Sequence, residues 1–183
     1  MRSEETRNQT HPRPRVLIDA EAIQRRVAEL AGEIERDFAD TDGLLCVGVL
    51  KGSIFFMVDL LKHLEIPVAV DFFQTSSYGA NTVPGEVRIR KDLDLSVRDR
   101  DVLLIEDIVD TGYTLRTILD LLKFRKARTV KLVTLLDKAE TRKVDVPIDY
   151  SGFVIDDVFV VGYGLDYDES YRNLPYVGTL QGE

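Results

Sequence analysis

Cysteine and tryptophan are scarce in this sequence, which has one cysteine and no tryptophan among its 183 residues. With Cys46 alone, inside an apolar run, the chain has neither a disulfide framework nor a cysteine-rich metal site, and a buried thiol is expected. No stretch approaches the roughly 20 apolar residues of a membrane span, and the first fifteen residues lack the apolar segment of an export signal. We therefore expect a protein that is neither exported nor embedded in a membrane, in the reducing cytoplasm.

Basic residues are also fewer than acidic ones, 24 against 32, which gives a formal net charge of −8. A protein that binds nucleic acid over a broad surface needs clustered Lys and Arg to neutralise phosphates, so this balance argues against a nucleic-acid partner. Any anionic ligand therefore has to be bound by a few residues at one site. The acidic excess is compatible with a divalent cation shared between carboxylates and a polyphosphate.

The length and an apolar content of 44% favour one globular domain. We expect a polar, proline-containing and disordered N-terminus over residues 1–15, then a single domain over residues 16–183. Residues 75–91 are rich in Ser, Gly, Asn and Pro and end in an alternation of Val87 and Ile89 with arginines. This segment predicts a mobile loop with a β-ribbon stem, and loops of this length are either functional lids or disordered segments.

Apolar runs alternate with amphipathic helices along the rest of the chain. Asp19 is placed to cap a first helix, whose apolar residues recur at steps of three or four. Five apolar runs predict strands, with helices after the first and the third: residues 44–50, 68–73, 102–105, 130–136 and 158–161. Runs that are apolar on both faces indicate an α/β fold, with a central, mostly parallel sheet flanked by helices on both faces. Ligands of such sheets bind beyond the carboxyl ends of the strands.

The most informative segment is residues 102–115, VLLIEDIVDTGYTL, in which an apolar strand leads through carboxylates into a helix. Gly112 allows close approach of a ligand to the backbone. The free N–H groups at the helix N-terminus, with the hydroxyls of Thr111 and Thr114, form a cradle for a phosphate monoester. The segment therefore predicts a phosphate site at the start of this helix.

Three carboxylates precede that cradle. From the strand end, Glu106 and Asp107 could accept hydrogen bonds from sugar hydroxyls. Asp110 stands between them and the phosphate cradle, where it could exchange a proton with a base attached to the anomeric carbon of a ribose. The alternative is that all three carboxylates only solvate a loop and cap the helix.

Residues 106–114 resemble the motif with which type I phosphoribosyltransferases bind phosphoribosyl pyrophosphate (PRPP), and the form EDIVDTG is similar to that of the hypoxanthine-guanine branch. The resemblance covers the chain from about Val16 onward. It implies a fold with a small hood region and a mobile β-ribbon lid. It also implies a purine salvage enzyme that transfers the 5-phosphoribosyl group of PRPP to hypoxanthine, guanine or both, giving IMP or GMP and pyrophosphate.

The resemblance also assigns residues outside this motif. Lys51 and Gly52 match a short loop that contacts pyrophosphate and that often contains a non-proline cis peptide bond. Ser77 and Tyr78 match the Ser-Tyr pair of the catalytic lid. Arg172 matches an arginine that contacts pyrophosphate.

The purine site is implied by two further matches. Lys138 matches a lysine that donates a hydrogen bond to O6 of the purine, which would select 6-oxopurines because the amino group of adenine would be repelled. Residues 159–167, FVVGYGLDY, are similar to the base-binding segment of the family. There Phe159 would stack on the purine ring and Val160 would contact the base edge through its backbone. Plain core packing is the alternative for Phe159.

The expected cofactor is Mg²⁺. The resemblance makes Asp166 its ligand, directly or through water, and brings Glu106 and Asp107 to it through the ribose or through water. Tyr113 stands where the family often has a lysine, at a position that offers mainly its backbone to phosphate. Arg142 corresponds to a further pyrophosphate-side arginine only through a segment that is prone to gaps.

Two other functions stay open. A phosphoribosyltransferase for xanthine or a pyrimidine would share the PRPP motif, although Lys138 and Phe159 favour a 6-oxopurine. The fold also serves non-catalytic RNA-binding attenuation regulators, against which the net charge of −8 argues. For the enzyme, the resemblance further implies a homodimer or homotetramer.

Overall fold

The computed structural model describes residues 12–77 and 87–180. In this part of the chain the elements follow in the order β1 (Arg15–Ile18), α1 (Ala20–Asp37), β2 (Leu44–Leu50), α2 (Ile54–Lys62), β3 (Val68–Ser77), β4 (Val87–Lys91), β5 (Asp101–Val109), α3 (Tyr113–Phe124), β6 (Thr129–Asp137), a 3-10 turn (Ala139–Thr141), β7 (Tyr150–Val154), β8 (Val160–Val161) and β9 (Val177–Thr179). None of the described helices is long and apolar enough to cross a membrane.

The central sheet has the strand order β4-β3-β2-β5-β6-β7. Strands β3, β2, β5, β6 and β7 run parallel, and β4 pairs antiparallel with β3. The chain moves outward from β2 to β4, returns to place β5 beside β2, and then moves outward on the other side. Such a reversal opens a crevice beyond the carboxyl ends of the two central strands. The predicted α/β fold with a mostly parallel sheet is confirmed.

Two apolar clusters cover this sheet, one on each face. Leu103 and Ile105 of β5 point into the cluster that also contains the buried residues of α1 and α2. Val102 and Leu104 point into the cluster that contains the buried residues of α3. Because successive strand residues point to opposite faces, β5 is buried on both. Cys46 of β2 is buried in the first cluster, as predicted.

A second, antiparallel sheet of three strands has the order β1-β9-β8 and forms the hood region. The prediction that residues 158–161 add a fifth strand to the central sheet is wrong, because only Val160–Val161 form a strand and they lie in the hood. The fifth parallel strand is β7. It lies at the sheet edge with most of its side chains partly exposed, which weakens its apolar signal.

Two local predictions are confirmed at the ends of elements. The carboxylate of Asp19 accepts a hydrogen bond from the backbone N–H of Ala22 at 2.7 Å and so caps α1. The stem of the predicted β-ribbon is the pairing of β3 with β4. Residues 78–86 between these strands lie outside the described residues, as do residues 1–11 of the predicted disordered start. The single domain and the mobility of the lid remain predictions.

An ion pair at the amino end of β5 joins three segments of the chain. The carboxylate of Asp101 accepts hydrogen bonds from the Arg128 guanidinium at 2.9 and 2.6 Å and from the Thr41 hydroxyl at 2.7 Å. Hydrogen bonding from Arg128 stabilises the ionised form and lowers the pKa of Asp101 to about 2. The ionised carboxylate therefore stabilises the fold.

We predict that Asp101→Asn lowers the free energy of unfolding at neutral pH by about 1–2 kcal/mol, because a charged pair is lost. The folded pKa lies below the ordinary value of 3.8, so the wild-type advantage is complete above about pH 4 and fades as the pH falls toward 2. Urea unfolding at several pH values measures it. Asp42→Asn, which acts on Arg128 only at longer range, is the control. A difference that does not depend on pH would contradict this account.

Candidate active site

A cavity of about 300 Å³ opens where β2 and β5 end. Its walls come from the loop after β2, the loop between β5 and α3, and the segment after β8. The residues that the sequence assigned to phosphate, sugar and pyrophosphate line it together: Lys51, Gly52, Glu106, Asp107, Asp110, Thr111, Gly112, Thr114, Asp166 and Arg172. The fold thus brings three separated segments of the sequence to one crevice.

The turn at residues 110–114 leads into α3. Gly112 has a φ of 89°, in the left-handed region, and a Cβ there would lie 2.9 to 3.1 Å from three side chains of residues 142–146. Glycine is therefore required on both counts. Helix α3 starts at Tyr113, and its N-cap residue, Gly112, has no side chain that could form a capping hydrogen bond. The first N–H groups of α3 are therefore available to a ligand. Tyr113 itself is not among the described residues that line the cavity.

Residues 142–146 support this turn from behind. Arg142 donates from Nε to the carbonyl of Asp110 at 3.0 Å and is ion-paired with Asp137. The next two backbone N–H groups donate to the carbonyl of Thr111 at 3.0 and 3.3 Å. Arg142 is not among the described residues that line the cavity. The structure therefore places Arg142 outside the described lining of the cavity, where it supports the turn at residues 110–114.

Glu106 and Asp107 are buried at the floor of the cavity. Oδ1 of Asp107 accepts a hydrogen bond from the backbone N–H of Ile108 at 3.0 Å, whereas Oε2 of Glu106 has no partner among the described residues. Burial, and then the neighbouring charge of Asp107, raise the pKa of Glu106 well above its usual range. Burial also raises the pKa of Asp107. Burial thus favours the neutral form of both carboxyls, more strongly for Glu106.

The loop after β2 packs against this acidic pair. The Leu50–Lys51 peptide bond is cis, as the resemblance implied. A Cβ on Gly52 would lie 1.7 Å from Oδ2 of Asp107. Gly164, from the segment after β8, has a φ of 102°, and a Cβ on it would lie 2.0 Å from the carbonyl oxygen of Gly52. The backbones of the two loops therefore touch at Gly52 and Gly164, a contact that was not predicted from the sequence.

Cations and carboxylates alternate along the rim. Arg172 lies 2.7 Å from Asp166 and 3.3 Å from Glu169, and it donates to the carbonyl of Gly164 at 2.8 Å. Nζ of Lys51 lies 2.8 Å from Glu169. Both cations assigned to pyrophosphate are thus paired with carboxylates of one short segment. Glu169, which was not predicted from the sequence, is not among the described residues that line the cavity.

Lys138 lies beside the cavity, just beyond β6. Its backbone N–H donates to the carbonyl of Val109, the residue before Asp110, at 3.0 Å. Its side chain is buried, and Nζ donates to Oδ1 of Asp157 at 3.2 Å. Asp157 is two residues from Phe159, so the two residues assigned to the purine lie near each other and next to the strand end that carries the carboxylates.

Phe159 is 46% exposed, which excludes plain core packing as its role. Its ring contacts that of Tyr167 edge-on, with centroids 5.7 Å apart and an interplanar angle of 85°. Val160 is buried in β8 and pairs with β9. Of the lid pair, Ser77 is the last described residue of β3, and Tyr78 lies outside the described residues.

Residues 17–168 match the family model of the phosphoribosyl transferase domain. A hypoxanthine-guanine phosphoribosyltransferase of Bacillus subtilis is 52% identical over 172 residues, which cover 93% of this chain and 95% of that protein. The chain belongs to the phosphoribosyltransferase family, in its hypoxanthine-guanine branch. A crystal structure of a Staphylococcus aureus hypoxanthine phosphoribosyltransferase matches with a TM-score of 0.87 and 50% identity, over 91% of this chain and 90% of that one. A Bacillus anthracis hypoxanthine-guanine phosphoribosyltransferase matches with a TM-score of 0.86 and 44% identity, over 90% and 97%.

We predict that Gly52→Ala inactivates this phosphoribosyltransferase, because the added methyl group displaces the carboxylate of Asp107. Misplacing a group at a reaction centre by about 1 Å costs about a hundredfold in rate, and overpacking costs about 1–3 kcal/mol in stability. Initial rates and urea unfolding measure the two effects. Gly32→Ala is the matched control, because its Cβ in α1 meets only the end of Arg36 at 3.9 Å; it should keep full activity. Wild-type rates in Gly52→Ala would refute the packing argument.

Proposed function

We propose that this enzyme transfers the 5-phosphoribosyl group of PRPP to hypoxanthine, guanine or both, releasing pyrophosphate and IMP or GMP, as a step of purine salvage. One observation carries the proposal. The crevice beyond the carboxyl ends of β2 and β5 brings together the start of α3, a buried acidic pair and two cations, which suit the phosphate, ribose and pyrophosphate of PRPP. A buried lysine stands beside it.

The 5′-phosphate would bind at residues 110–114, where the backbone of Thr111, Gly112 and Tyr113 and the hydroxyl of Thr114 supply donors. Backbone dipoles at a helix N-terminus hold an anion without requiring a counter-charge. The ribose hydroxyls would bind Glu106 and Asp107, whose positions at the end of β5 put them next to that cradle.

Pyrophosphate would bind between the loop of Lys51 and Gly52 on one side and Arg172 on the other. The proposed cofactor is Mg²⁺. Among the described residues, no three carboxylate, histidine or cysteine side chains are grouped to hold a metal ion by themselves. Asp166 and Glu106 both line the cavity, and Oε2 of Glu106 has no hydrogen-bond partner among the described residues.

This donor set fits Mg²⁺ bound jointly by Asp166 and by substrate oxygens, with Glu106 and Asp107 reaching it through the ribose or through water. Mg²⁺ prefers hard oxygen ligands and usually shares them with phosphates. When bound, it would neutralise negative charge on the pyrophosphate group.

The purine would lie against Phe159, with its edge at the backbone of Val160 and its O6 at Nζ of Lys138. The ammonium group can only donate hydrogen bonds. It therefore binds an oxo group, which is an acceptor, and disfavours an amino group, which is a donor. Asp157 holds Nζ of Lys138 at 3.2 Å and so fixes the direction of this donor. Base selection would therefore rest on a buried, oriented charge.

In the proposed reaction, the bond from the anomeric carbon to pyrophosphate breaks as the bond to the base forms, with inversion, through a transition state that resembles an oxocarbenium ion. Lys51 and Arg172 would stabilise the departing pyrophosphate. Asp110, which lines the cavity and lies in the sequence between the acidic pair and the cradle, would exchange the proton at N7 of the base. The lid with Ser77 and Tyr78 would exclude water during transfer.

We also propose a homodimer or homotetramer in the cytoplasm. An apolar face of α2 supports association, because the side chains of Ile54, Phe55 and Val58 are exposed together on one side of the helix. A free, buried Cys46 suits a reducing compartment. Mass measurement in solution decides between the two assemblies.

We predict that hypoxanthine and guanine are the best acceptors in a panel that also contains xanthine, adenine and uracil, assayed with labelled PRPP. Adenine or uracil as the best acceptor would refute the purine assignment while leaving PRPP binding intact. A chain that transfers to none of the bases, and instead retains RNA on a filter in a salt-sensitive manner, would favour the attenuation regulator.

A second prediction concerns the proton. Asp110→Asn should lower kcat by about a hundredfold or more, because general acid–base catalysis is lost, while the Kd for PRPP changes little. Rapid-quench kinetics and calorimetric titration separate the two effects. Asp145→Asn removes an equal charge from an exposed position nearby and serves as the control. Unchanged turnover in Asp110→Asn would remove this residue from the mechanism.

A further inference from the structure

Glu169 connects the two cations that are proposed to bind pyrophosphate. Its Oε1 lies 2.8 Å from Nζ of Lys51, and its Oε2 lies 3.3 Å from a terminal nitrogen of Arg172. Each oxygen of one carboxylate therefore pairs with a different cation. Lys51 belongs to the loop after β2 and is 118 positions from Glu169 in the sequence, so the fold itself produces this bridge.

The turn that carries Glu169 fixes the direction of its side chain. Its backbone N–H donates to Oδ2 of Asp166 at 2.9 Å, and the backbones of Tyr167 and Ser170 bond to each other across the turn. Glu169 has a φ of 59° and the preceding Asp168 a φ of 49°. Residues other than glycine rarely adopt these left-handed backbone conformations, which persist where the surrounding structure imposes them. The carboxylate is therefore presented to the cations by a defined backbone.

Stability does not explain this arrangement. The side chains of Glu169 and Lys51 are 65% and 51% exposed, and exposed ion pairs add little to folding free energy because water screens them. Hydrogen bonding from Lys51 lowers the pKa of Glu169, so the group is anionic at neutral pH. Lys51 and Arg172 line the cavity, and Glu169 contacts both of them from outside its described lining. A bridge that contributes little to folding therefore points to a role in how these cations bind a ligand.

Pyrophosphate needs the same donors. A carboxylate and a phosphate group both present oxygens to the N–H fork of Arg and to the ammonium of Lys, and phosphate oxygens carry more charge. Pyrophosphate bound to Lys51 and Arg172 would compete for the donors that Glu169 now uses. The carboxylate is thus placed as an internal competitor.

We propose that Glu169 is a positioning residue for pyrophosphate: it holds Lys51 and Arg172 at the cavity rim, is displaced when the pyrophosphate group of PRPP binds, and returns when pyrophosphate leaves. The inference rests on the proposed function, in which these two cations bind pyrophosphate. Glu169 therefore lowers the affinity for pyrophosphate and assists its release.

The test is the variant Glu169→Gln, with Glu169→Ala to remove the remaining hydrogen-bond acceptors. In calorimetric titrations with Mg²⁺, the Kd for inorganic pyrophosphate and for PRPP should fall by about two- to fivefold in both variants, the range expected for exposed ion pairs. The KM for PRPP should fall with it, while the KM for hypoxanthine stays unchanged. Asp168→Asn removes the same charge one residue away, without a contact to either cation, and should change the Kd far less.

Two results would overturn the proposal. One is a Kd for pyrophosphate that is unchanged or higher in either variant, which would mean that Glu169 does not compete with the ligand. The other is an equal fall in Asp168→Asn, which would mean that only the general charge of the turn matters. A wild-type chain that binds neither PRPP nor pyrophosphate would instead refute the proposed function.

Discussion

The pairing of β2 with β5 in the middle of the central sheet positions the two loops that carry most of the groups at the candidate active site. The two strands run parallel, in register from Leu44 opposite Asp101 to Gly48 opposite Ile105. The chain leaves β2 toward one edge of the sheet and β5 toward the other, so the loops at their carboxyl ends diverge and leave a crevice between them. The cation-bearing loop after β2 and the phosphate cradle after β5 then face each other across this gap.

The same strand end has to accommodate two buried acids, and much of the surrounding packing serves this need. A buried carboxylate loses its hydration, and the cost is avoided when one group stays protonated. The raised pKa of Glu106 has this origin. The absence of a side chain on Gly52 leaves the space that Asp107 occupies, and Gly164 in turn packs on Gly52. This packing costs stability, but it holds in place the hydrogen-bonding groups that are proposed to bind the ribose.

The sequence predicts those parts of the structure that depend on residues close together in the chain. Strands buried on both faces, such as β2, are found from their continuous apolar runs, and a contiguous motif predicts the phosphate cradle. The edge strand β7 has a mixed pattern, and local apolarity at residues 158–161 does not reveal which sheet they join. Arg142, Glu169 and Gly164 were missed or misplaced because their partners are distant in the sequence. Only the fold decides which charges and which backbones meet.

The two anion sites proposed for the cavity are built on different principles, and the proposed reaction gives a reason. The 5′-phosphate stays attached to the ribose from substrate to product, so a cradle of neutral backbone donors after β5 can hold it throughout. Pyrophosphate has to leave. The cations proposed to bind it, Lys51 and Arg172, are paired with the carboxylates of Asp166 and Glu169, so the proposed displacement would replace a departing anion by one that the protein already carries. In a chain with a net charge of −8, these carboxylates would neutralise the two cations again once pyrophosphate has left.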